Sequence, residues 1–396
     1  MKRILALLLI LLLIPVGVSS KMPNAEEQEL KKKLESGLDD QINILDTREW
    51  DRLMKELKNQ GNPMVKETDV KKVIRDLVTG NFNFDLKGIL SVMGDSFFRE
   101  LKGNMAWMIQ VLVLAVICGV LNHLQGSFEN SSVASIAYFV CYLVVMVLVI
   151  HSLTSILDVG KKAIEQMVFF MQIIIPVLLA LLIAMGGLAS SAVLQPTIAI
   201  LVGTVGTFLK NTMIPLILTA AILVLVNHIN DKIQLNRLSG LIENLCKWTL
   251  GIVFTIFIGV LTIQGAMAAS VDGISVRTAK YAIDTFVPIV GGLFSKALDT
   301  IISCSLLVKN ATGVAGLLVI AIICIHPLMK ILSLLTMYKL SGALLEPISD
   351  PKIVDCLNRI GNVITILFVT VAGVAILFFL TIALMIGAGN ITVMMR

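Results

Sequence analysis

The sequence predicts an all-α, polytopic membrane protein: seven or eight helical spans behind an N-terminal amphipathic helical extramembrane segment. Three observations carry this expectation. The chain is 57% hydrophobic and 15% charged over 396 residues, whereas soluble domains run near about 25% charged. Its charge is unevenly placed, with 31 of its 59 Lys, Arg, Asp and Glu residues between Lys21 and Gly103. The rest of the chain is a series of apolar runs, each near the ~20 residues that cross about 30 Å of hydrocarbon.

The first element is a leader. Lys2 and Arg3 precede an apolar run from Ile4 to Ile14, which Pro15 and Gly17 break before Val18, Ser19 and Ser20. This is the pattern of a secretory signal over residues 1–20, or of an uncleaved anchor. Either puts Lys21 onward outside the cytoplasm.

Residues 21–103 form a charged extracytoplasmic segment. Leu30, Leu34, Leu38, Ile42 and Leu45 recur at helical spacing, as do Trp50, Leu53, Met54 and Leu57. Gly61-Asn62-Pro63 ends that stretch. A second amphipathic stretch, 65–78, stops at Thr79-Gly80-Asn81. The segment has 15 basic and 16 acidic residues, so it offers no basic surface for nucleic acid. It has no His or Cys and so no catalytic constellation.

Residues 104–396 form the membrane domain. Apolar runs lie near 105–124, 133–157, 167–186, 190–209, 212–229, 248–269, 311–330 and 363–388. A degenerate threefold repeat shows within them, in units of about 104–187, 188–292 and 293–396. Asn104, Asn211 and Asn310 each open an apolar run, and His123, His228 and His326 end those runs. Pro176 with Gly186-Gly187, and Pro288 with Gly291-Gly292, fall between units as candidate broken-helix or re-entrant positions. Asp284, Lys296 and Asp299 lie in an apolar setting beside the second of these sites. Ionisable groups at membrane depth mark pathways, so all of these positions are candidates for lining one.

The chemistry this sequence excludes is as informative. It has no Walker A, HExxH, GxSxG or Rossmann glycine pattern, so it predicts no enzyme and no cofactor. The three repeat-related histidines could serve a metal only by converging; at run ends they read as interfacial residues, and no metal is expected. Six cysteines, none in a CxxC pair, sit mostly in apolar runs, where a free thiol behaves as a small hydrophobe.

Four stretches give the chain a family likeness: Trp50-Asp51-Arg52-Leu53, Gly80-Asn81-Phe82-Asn83-Phe84-Asp85, Leu121-Asn122-His123-Leu124, and the run 284–294, DTFVPIVGGLF. With the leader, the charged segment and the interrupted apolar domain, they closely resemble the stage III sporulation protein AE family, over essentially the whole chain. The resemblance implies a multi-pass protein of the mother-cell membrane that surrounds the forespore. It implies partnership with the other stage III A proteins, including a separate ATPase and ring-forming subunits. A forespore membrane protein would meet that assembly across the intermembrane space. The implied role is a channel-like or secretion-like complex that supports forespore development and late forespore gene expression. A stand-alone secondary transporter or permease is the alternative that repeats and broken helices suggest.

The repeat has a topological consequence. Two crossings per unit place the loops after the three histidines on one side, and the Lys and Arg residues of the second and third loops favour the cytoplasm. Single cysteines near Gln125, Asn236 and Ser349 are therefore all expected to react with reagent supplied from the cytoplasmic side. Labelling of any one from the opposite side breaks the parallel-unit scheme.

Overall fold

In a computed structural model the backbone is described for residues 37–38, 41–59, 70–82, 86–125, 132–229, 235–286 and 291–394. Side chains are described there too, except at 86, 122–125, 132–135, 228–229, 268–286, 291–299 and 389–394. The leader, the Leu30–Leu34 stretch and Pro288 lie outside these residues. Among them the protein is helical, with no strand.

Among the described residues a helical turn at 41–44 precedes two short helices, α1 (Arg48–Asn59) and α2 (Val70–Val78). Thr47 precedes α1, its carbonyl accepting the Asp51 N–H at 2.8 Å and its hydroxyl donating to the Asp51 carboxylate at 3.1 Å. Trp50, Leu53 and Leu57 form the buried face of α1, at the three-to-four-residue spacing the sequence shows. The solvent face carries an ion pair, Arg48 to Asp46 at 2.7 Å. The Arg48 side chain, and then its backbone N–H, hold the Asp46 carboxyl well below its ordinary value, to about 2. The stop expected at Thr79-Gly80-Asn81 is present: Gly80 has φ +73° and the Asn81 and Phe82 N–H groups return to the Asp76 carbonyl.

The membrane domain is built from α3 (Leu86–Gln125), α4 (Ser132–Ala184), α5 (Leu188–Phe208), a π-helical segment (Leu209–Met213), α6 (Ile214–Ile229), α7 (Asn236–Phe286), α8 (Gly291–Leu345) and α9 (Pro351–Met394). Among the described residues six helical stretches are long and apolar enough to cross a membrane, with α5, the π segment and α6 counting as one of them. The protein is an all-α, polytopic membrane protein.

The runs at 133–157 and 167–186 are a single helix here. The charged stretch between them keeps its helical bonds, because Asp158 and Lys162 pair across one turn at 2.8 Å instead of diverting the backbone. The runs at 190–209 and 212–229 are likewise continuous through the π segment. That segment has a covalent cause: Pro215 has no N–H to offer the Asn211 carbonyl, and the Ile214 N–H reaches back five residues to Leu209.

One tight turn does break the pattern, between α4 and α5. Gly186 has φ +88°, its N–H bonds to the Ile183 carbonyl at 2.8 Å, and the Gly187 N–H bonds to the Leu182 carbonyl at 3.0 Å. A Cβ on Gly187 would stand 2.8 Å from the Leu182 side chain. Both glycines are therefore needed, one for its backbone and one for space.

The core lies where α4, α8 and α9 meet, and it includes Ile174, Ile331, Ile360, Val371 and Phe378. α9 is the central helix, with 67% of its most apolar stretch buried, whereas α7 has 17% and lies at the periphery. α1 joins this bundle by an edge-on contact of Trp50 with Phe170 of α4, ring centroids 5.2 Å apart.

Substituting Gly186 by Ala forces an L side chain into left-handed backbone, so it is expected to lower stability by about 1 kcal/mol. Gly94→Ala, in open space on a helix, is the control and should be neutral or slightly stabilising. Unfolding of both variants in detergent micelles checks this.

Candidate functional site

A polar site in an apolar bundle is assembled residue by residue, from side chains that helices cannot shed into lipid. Three clusters stand out, each tied to one element junction.

The first joins α3 and α4 to the turn between α8 and α9. Asp350 precedes Pro351, and its carboxylate accepts the Lys352 N–H at 2.8 Å while its carbonyl accepts the Ile353 N–H at 3.0 Å. This is an acidic cap followed by a proline at the first helical position. The other Asp350 carboxylate oxygen accepts the Tyr138 hydroxyl of α4 at 2.8 Å. Next to it, the Ser349 hydroxyl donates to the Ala115 carbonyl of α3 at 2.9 Å. Gly119 completes the fit, because a Cβ there would stand 2.7 Å from the Ile348 carbonyl oxygen.

A second cluster links α7, α8 and α9. Arg359 pairs with Asp355 at 3.5 Å and donates to the Ser239 hydroxyl of α7 at 3.1 Å. Lys339 of α8 donates to the Asn358 carbonyl at 3.0 Å and to the Asn362 side chain at 2.8 Å. Tyr338, fully buried, hydrogen-bonds Ser152 of α4 and stands 4.9 Å from the Trp107 ring of α3.

The third lies along α4. Lys210, inside the π segment, pairs with Glu165 at 2.6 Å, one turn beyond the Asp158–Lys162 pair. A helix irregularity and a lysine thus meet a carboxylate of the neighbouring helix.

The positions singled out by sequence fall differently. Pro176 sits inside α4, which continues through it. Gly186 and Gly187 form the α4–α5 turn. Gly291 and Gly292 open α8. His326 is within α8 next to Pro327, and its Nδ1 is buried with no partner among the described residues. The side chains of His123, His228, Asp284, Lys296 and Asp299 lie outside the described residues. Among the described residues no group of His, Cys, Asp and Glu is arranged to hold a metal.

The lysines one or two residues before Asn104, Asn211 and Asn310 have three environments. Lys210 is ion-paired and half-exposed, Lys309 is buried, and Lys102 is exposed. In the sequence Lys309 stands out only as the residue before Asn310, which opens an apolar run. Its position in an apolar stretch was the available signal that it is a buried charge.

Bundle and junctions together define a class: a multi-pass, all-helical membrane protein whose polar side chains bind helix to helix. Comparison with known proteins then gives the family. The stage III sporulation protein AE family matches over residues 68–389. A relative from Bacillus subtilis (strain 168), described as stage III sporulation protein AE, is 35% identical over 326 residues, covering 82% of each chain. This chain belongs to that family, a sporulation family by its description. No solved structure matches it.

Removing the Tyr138 hydroxyl tests the first cluster. Tyr138→Phe is expected to cost about 1–2 kcal/mol, the range for a half-buried hydrogen bond to a carboxylate, and Ser349→Ala about 1 kcal/mol. Both follow from unfolding midpoints of the purified protein.

Proposed function

We propose that this chain is an integral membrane subunit of a sporulation complex that spans the envelope between mother cell and forespore. The observation that carries the reading is the union of a sporulation family with a multi-pass bundle whose sequence lacks any nucleotide-binding motif. A protein of this build contributes a membrane path or scaffold, and its energy comes from another component. The partners proposed are the other stage III A proteins, with a separate ATPase and ring-forming subunits, and a forespore membrane protein across the intermembrane space. The chain would sit in the mother-cell membrane around the forespore, with the segment after its leader on the intermembrane side. In that complex it would act as a channel-like or secretion-like subunit, supporting forespore development and late forespore gene expression.

Within this reading, the positions to examine for a path are the interruptions. Gly186-Gly187, Pro176, Pro288 and Gly291-Gly292, with Asp284, Lys296 and Asp299 beside them, are where an apolar helix can yield to water or to protein. His123, His228 and His326 would mark the membrane boundary.

The reading is tested by purification from sporulating cells in mild detergent, where stoichiometric companions are expected to come down with the chain. If the protein emerges alone and catalyses ion-coupled uptake in liposomes, it is a stand-alone transporter and the complex reading is wrong.

A further inference from the structure

Lys309 is the most deeply buried Lys, Arg, Asp or Glu side chain among the described residues, 1% exposed within α8. A lysine so placed needs a counter-charge, because a desolvated ammonium is costly unless paired. Among the described residues its one partner is the Ile386 carbonyl of α9, at 3.1 Å. A carbonyl is a dipole, so among the described residues no group of opposite charge meets this ammonium and two of its N–H donors have no acceptor.

The surrounding chemistry repeats this excess of donors. Ser305 lies one turn before Lys309 and Thr312 nearly one turn after, and both are fully buried. The spacing i, i+4, i+7 puts all three on one face of α8. Among the described residues the Thr312 hydroxyl has no hydrogen-bond partner. The Ser305 hydroxyl oxygen accepts from the Gln41 amide N–H at 2.9 Å, and the oxygen of that amide is buried with no partner among the described residues. The helix therefore presents an ammonium and two hydroxyls toward the interior, with no carboxylate of the described residues to receive them.

We propose that Ser305, Lys309 and Thr312 form an interior site for a small monovalent anion, bordered on one side by the N-terminal segment through Gln41. The donor set selects the class. An ammonium supplies the charge, and two hydroxyls supply directional contacts to a halide or a carboxylate group. A cation would meet like charge, and a bulky anion would not fit a face whose next two glycines, Gly313 and Gly316, are packed against Ile386 and against Ile174 and Ile382. Gln41 makes the site a joint as well, because the segment before α1 touches the face that would hold the anion. This inference is independent of the complex proposed above.

The test uses the full-length protein in lipid nanodiscs. Its thermal unfolding midpoint is compared in sodium chloride, sodium acetate and sodium gluconate at equal ionic strength. A saturable rise in chloride or acetate over gluconate is expected, and whichever salt produces it distinguishes a halide site from a carboxylate site. Lys309→Met should abolish the difference between salts, and Thr312→Val should weaken the apparent affinity about tenfold, as for one hydrogen bond to a charged group. Equal midpoints for the unsubstituted protein in all three salts overturn the proposal whether or not either variant folds. So does a Lys309→Met protein that keeps the full salt difference.

Discussion

Every amide in an apolar bundle needs its hydrogen-bond partner inside the protein, and in this chain nearly all of them find it within their own helix. That requirement fixes more than helicity. It decides which sequence irregularities become structural breaks. Pro176 removes one donor and the helix absorbs the loss, because the residues around it are locked into the core. Pro215 removes one donor and the helix shifts to a five-residue bond, making the π segment. Gly186-Gly187 does turn the chain, because there the left-handed backbone lets two N–H groups return to the preceding carbonyls. Hydroxyls obey the same rule. Thr154, Thr219, Thr262, Thr336, Thr370 and Thr381 each donate to a carbonyl four residues earlier in their own helix.

With backbone bonds confined to single helices, association between helices falls to shape. Between apolar helices in lipid the hydrophobic drive is weak, and close approach of small residues substitutes for it. The glycines show where this happens. A side chain on Gly160 would collide with Leu367 at 2.7 Å, and Gly206, Gly313, Gly316 and Gly373 are similarly filled by Val168, Ile386, Ile174 and Phe254. Three of these crossings involve α9, which accounts for its central burial. The polar junctions then act as register marks. Tyr138 on Asp350 and Ser349 on Ala115 allow only one height for the α8–α9 turn against α3 and α4.

Helicity, the apolar stretches and the glycine stops were legible because each is a local property: hydropathy over about 20 residues, or one backbone angle. The boundaries between spans were not. A charged turn inside a helix and a charged loop have the same composition, so 158–166 reads as a connector until the Asp158–Lys162 pair is seen to run along one helix face. The junctions were illegible for a different reason. Tyr138 and Asp350 are 212 residues apart, and neither is unusual where it stands. Lys309 lies between these cases. A lysine flanked by apolar residues is visible in sequence, but burial, its single carbonyl partner and the silent Thr312 hydroxyl exist only once α8 and α9 are paired.

The length of α4 sharpens what such charges mean. Its 53 residues rise about 80 Å, against roughly 30 Å of hydrocarbon. The whole helix cannot lie in lipid, and the solvent-facing Asp158, Lys162 and Glu165 identify a stretch that does not. Phe170, one turn further on, receives Trp50 of α1, whose outer face carries Glu49 and Arg52. Ionised side chains on α1 exclude lipid from that side of α4. The middle of α4 therefore meets α1, and Lys210, drawn to Glu165, ties the π segment to the same stretch of α4. A helix irregularity, an ion pair and the contact with α1 thus lie within one stretch of α4.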